Sequence, residues 1–184
     1  MFETTAKTQL CSSVKFLLSA PSVMKFGFMK KLEVSFNSPQ CGWMSIGFND
    51  GAAEFHTTTA HAPHERALPE LLRILTDLLN NEPAENEYLL QWNRNPEEFD
   101  FRFIKSGENV VLEIYQYPTS ERGSAIRELI FAHKGAVRDV CAAFYETFRQ
   151  LYADRDTDEF EFHWRQPFPF EDYETFERTI KNST

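Results

Sequence analysis

Glycine is scarce: the chain has 184 residues and only 7 glycines. That count argues against collagen-like and low-complexity architectures, and no G-x-G-x-x-G or G-x-x-x-x-G-K loop is present to cradle a phosphate. Cysteine is equally sparse. Cys11, Cys41 and Cys141 stand far apart with no C-x-x-C pair, which argues against a redox motif or structural zinc and for reduced thiols in a cytoplasmic protein. No G-x-S-x-G elbow occurs, and no cysteine sits in a catalytic sequence context. No apolar run approaches the roughly 20 residues of a membrane span. Positive charge is also short, with 19 Lys and Arg against 28 Asp and Glu, so the net charge of −9 argues against a nucleic-acid footprint.

Phenylalanine is abundant instead: 18 residues supply enough apolar surface for a core without disulfides or metal. Residues 1–23 read as a poorly ordered tail, because Lys7, Lys15 and the short Phe16-Leu17-Leu18 run fall short of a signal peptide. Residues 24–184 read as one domain. Leu32, Val34 and Phe36 alternate with polar residues, as do Met44, Ile46 and Phe48; with Asn49-Asp50-Gly51 and the Thr57–Thr59 run they predict a three-strand meander. Leu68, Leu71, Leu72, Leu75, Leu78 and Leu79 then form one helical face starting near Ala67, with Pro69 in the first turn.

Four further strands follow, over residues 88–92, 99–104, 110–117 and 126–133. A helix at 136–153 carries Val140, Cys141, Phe144 and Phe148 on its stripe, Cys141 being a buried thiol. A shorter helix spans about 171–181, and Trp164-Arg165-Gln166-Pro167-Phe168-Pro169 is read as an extended strap. The order β-β-β-α-β-β-β-β-α-α argues an α+β fold: a mostly antiparallel sheet with helices on one face.

Two constellations carry chemistry. His56, His61 and His64, flanked by Glu54 and Glu65, offer ligands suited to zinc or iron or to a small-ligand or enzymatic site, although their spacing demands no metal. Residues 154–177 hold nine acids against Arg155 and Arg165, and residues 82–100 hold six against Arg94. The first run is interleaved with aromatics. It predicts a contact surface for a basic protein, with Asp158, Glu159 and Glu161 as steering charges and Trp164 and Phe168 as anchors. The competing expectation is that alternate aromatics pack inward and the acids only keep the domain soluble.

Several segments from about residue 30 to 176 resemble a loose group of small bacterial α+β proteins. These are the first strand followed by Gly42-Trp43, the Leu71-Leu72-x-x-Leu75 helix, Asn95-Pro96-Glu97-Glu98-Phe99 at a strand opening, the long second helix and Trp164-x-x-Pro167-Phe168-Pro169. Some members of that group look like immunity proteins of toxin systems. The resemblance implies a non-enzymatic protein-binding role and transfers no catalytic residue. No cofactor, nucleic acid or membrane is expected, and the chain is expected to be a monomer or homodimer.

Overall fold

The computed structural model describes residues 31–80, 85–123 and 126–183. The expected tail at residues 1–23 lies outside them. The order is β1 (Glu33–Phe36), β2 (Trp43–Asn49), β3 (Glu54–Ala60), α1 (Ala67–Leu79), β4 (Glu87–Asn93), β5 (Glu98–Ser106), β6 (Asn109–Tyr117), β7 (Glu128–Ala136), α2 (Val137–Asp154), α3 (Phe160–Trp164) and α4 (Phe170–Asn182). Among the described residues seven strands form one sheet in sequence order, every neighbouring pair antiparallel. The α+β architecture read from the sequence is therefore the observed one. Among the described residues no helix is long and apolar enough to cross a membrane.

Period-two patterning sets the inner face. Leu90, Trp92, Phe99, Phe101, Phe103, Leu112, Ile114 and Phe131 are buried, and they meet the leucine stripe of α1 and the Val140–Phe148 stripe of α2. Each such Phe or Leu side chain stabilises the fold by about 1.5–3 kcal/mol on area grounds. Cys141 is fully buried, and desolvation pushes its thiol well above the usual range, so it packs as a small apolar side chain.

The sheet curls rather than lying open. Phe48 of β2 meets both Phe101 of β5 and Phe131 of β7, at ring separations of 5.5 and 5.7 Å. The weak point of the ladder is β3–β4, joined only at Ala60 and Asn93. The hairpin turn expected at Asn49-Asp50-Gly51 forms, with Gly51 left-handed at φ 74° and Asn49 and Asp50 side chains accepting turn N–H groups.

Two boundaries differ from the sequence reading. β7 runs to Ala136 and passes straight into α2, so Gly135 is a strand residue, not punctuation before the helix. Residues 160–164 form a helical turn where the strap was expected to begin. Its flanks, Glu159 and Arg165, are left-handed at φ 48° and 66°, a conformation that neither residue type signals.

Candidate functional site

The three histidines do not assemble. His56 on β3 pairs with Glu54 at 2.6 Å on the surface. His64, beside Pro63, turns toward the outer sheet face, where its Nε2 is 3.5 Å from Glu98. His61 points to a third place, its ring 6.2 Å from that of Trp164. Among the described residues no three His, Cys, Asp or Glu side chains are grouped to hold a metal ion. The metal expectation for His56, His61 and His64 is corrected accordingly: strand alternation and the loop after β3 aim the imidazoles in different directions.

His61 and the acidic segment converge instead at one corner of the molecule. The two-residue turn Cys41-Gly42 opens β2, both residues left-handed at φ 50° and 85°, with Gln40 and Trp43 exchanging backbone hydrogen bonds. Gly42 ties three segments together: its N–H donates to the His163 carbonyl at 2.5 Å, and its carbonyl accepts the His61 N–H at 3.1 Å. A Cβ at Gly42 would lie 3.1 Å from the His61 ring, so the turn needs glycine for space as well as for φ. Cys41, His61, Asn93 and Arg165 border a hollow of about 230 Å³ there. The Nδ1 atoms of His61 and His163 are buried without a hydrogen-bond partner among the described residues.

The aromatic anchors expected on this surface are not on it. Trp164 and Phe168 are only 2% and 4% exposed. Phe160 packs against both, at 6.4 and 5.3 Å, and Phe168 also meets Tyr152 and Tyr173. Their role as partner anchors is corrected: they seal the core beneath α3. Phe162 takes the outward position and is 75% exposed, and among the described residues its ring neighbour is His163 at 5.1 Å. Helical geometry explains the split, since Phe160 and Trp164 share one face at i and i+4 while Phe162 lies between them on another. Trp43 across the Gly42–His163 link is 37% exposed.

The steering acids also divide. Asp158 is half-buried and accepts a hydrogen bond from Ser38, fastening the loop before α3 to the β1–β2 connection. Glu159 is largely exposed, with a loose 3.9 Å approach to His163. Glu161 is exposed, and among the described residues its carboxylate has no partner. Asp156, paired with Arg155 at 3.2 Å, adds a further solvent-facing carboxylate. The corner thus presents two exposed rings among exposed carboxylates, on a turn held by non-glycine residues in the left-handed region.

No protein-family model matches the chain, no curated protein matches its sequence, and no solved structure matches it.

Proposed function

We propose that the protein is a non-enzymatic binding protein whose α3 corner contacts a basic protein partner, in the manner of an immunity-type inhibitor. The observation that carries this reading is Phe162, 75% exposed between two buried aromatics in an acidic turn. Folding of the monomer gains nothing from an aromatic at that position. The two left-handed residues that present it, Glu159 and Arg165, each cost on the order of 1–2 kcal/mol. An exposed ring beside the solvent-facing carboxylates of Glu159 and Glu161 suits a partner that is cationic around an apolar pocket: the ring supplies burial and the charges speed encounter.

The test is capture from a lysate of the source organism by tagged wild type, Phe162→Ser and the Glu159→Gln/Glu161→Gln double variant. A single basic protein is expected on the wild type at low salt, lost as salt rises and lost from Phe162→Ser even at low salt. Equal capture by wild type and Phe162→Ser would overturn the assignment to this corner.

A further inference from the structure

A second site, sharing no lining residue with the hollow at the α3 corner, lies in the seam between β1, β7 and α2. His133 sits on the inner face of β7, opposite Leu112 and in line with Phe131 and Gly135. It is 6% exposed, an ionisable ring among apolar neighbours. Its Nδ1 is 3.3 Å from an Asp50 carboxylate oxygen. The other Asp50 oxygen accepts the Ala52 and Ala53 N–H groups at 2.8 and 2.9 Å. Burial pushes the Asp50 carboxyl upward, but these two N–H groups and His133 outweigh it and hold it below its ordinary value. An ionised Asp50 can only accept from Nδ1, which orients the ring, and in the imidazole tautomer with hydrogen on Nδ1 it is Nε2 that can accept.

The Nε2 edge faces a prepared space. Among the described residues Nε2 has no hydrogen-bond partner, and it lies 2.9 Å from where a Cβ on Gly135 would stand. Both residues line a cavity of about 450 Å³ between β1, β7 and α2. Leu32 and Ala142 give it apolar walls, and Glu33, Asp139 and Glu146 stand at its rim with Lys31. Glu146 also meets Arg149 at 3.0 Å. Counting Asp50 behind the imidazole, four carboxylates face two cations, so the seam favours positive charge.

We propose that this seam is a binding site for a small alkylammonium, which donates a hydrogen bond to His133 Nε2 and lays its hydrocarbon body on Leu32 and Ala142. Imidazole acceptor, acidic rim and short apolar wall match the three parts of such a ligand. The site is separate from the Phe162 corner and does not depend on the role proposed for it.

The experiment is a titration of the full chain with n-butylammonium, following the His133 ring nitrogens by long-range proton–nitrogen correlation. Butyrate and butanol serve as controls of matched size. A saturable shift of Nε2 with butylammonium alone is expected, and Asp139→Asn, on the exposed face of α2, weakens it by about three- to fivefold, as for a partly solvated charge pair. Gly135→Ala, whose methyl enters the space beside Nε2, abolishes it. No saturable shift up to tens of millimolar, an equal response to butyrate, or unchanged affinity in Asp139→Asn would each overturn the proposal.

Discussion

Two acidic stretches of this chain have opposite fates. In the first, residues 82–100, Glu98 and Asp100 are buried on the outer sheet face, where Arg122 donates to both and also to the Phe99 carbonyl at 3.2 Å. Tyr117 donates to Asp100 at 2.9 Å, and beside this cluster Arg102 bridges Glu87 and Glu113 at 2.7 and 3.0 Å. In the second, residues 154–161, Asp158 is tied to Ser38 while Asp156, Glu159 and Glu161 stand in solvent near an exposed Phe162. Net charge cannot separate the two; the presence of a cation from a distant strand or loop does. The first cluster is structural, and the second leaves the Glu159 and Glu161 carboxylates facing solvent.

The largest effect that would break this contrast comes from Arg122. Arg122→Met leaves two buried carboxylates without their cation, so unfolding in urea is expected to show a loss of about 3–5 kcal/mol. A loss under 1 kcal/mol would mean that the outer face is hydrated and the two acidic regions are alike.

Acid titration gives a smaller effect. The Asp50 carboxyl titrates below its ordinary value of 3.8 in the folded protein. A depressed folded value means that its stabilisation is complete above the unfolded value and fades as pH falls through the folded one. Asp50→Asn should therefore be less stable than wild type at neutral pH, with the gap narrowing as pH drops below 3.8. A gap that stays constant down to acid would contradict the Asp50–His133 and backbone contacts. The smallest effect belongs to α3: Glu161→Gln and Phe162→Ser should each change stability by less than about 0.5 kcal/mol, as surface substitutions do. A large loss in either would make the corner structural after all.

What the sequence disclosed follows from the range of the interactions. The α1 face from Leu68 to Leu78 and the Phe99–Phe101–Phe103 alternation are local periodicities, and both appear in the structure where the pattern puts them. Arg122 lies 24 residues from Glu98 and 22 from Asp100, and no local pattern announces that pairing. The segment Phe160–Trp164 misleads for a different reason. Aromatics at every second position suit a strand, yet the first and third also stand at i and i+4, which suits a helix. The backbone chose the helix through left-handed Glu159 and Arg165, and that choice buried Trp164 and exposed Phe162. The convergence of His61 with His163 at Gly42 depends on the same turn and on a β-hairpin far away in sequence. Phe162 was legible as part of an aromatic run, but not as the one of its members that faces solvent.

The most direct measurement is the association rate of the captured basic partner with wild type and with the Glu159→Gln/Glu161→Gln variant, across a range of ionic strength. The wild-type rate is expected to fall steeply with salt, while the variant associates more slowly, with a flatter dependence and an unchanged dissociation rate. Identical association rates at low salt would contradict the assignment of the α3 acids to partner encounter and return them to the role of solvated charge.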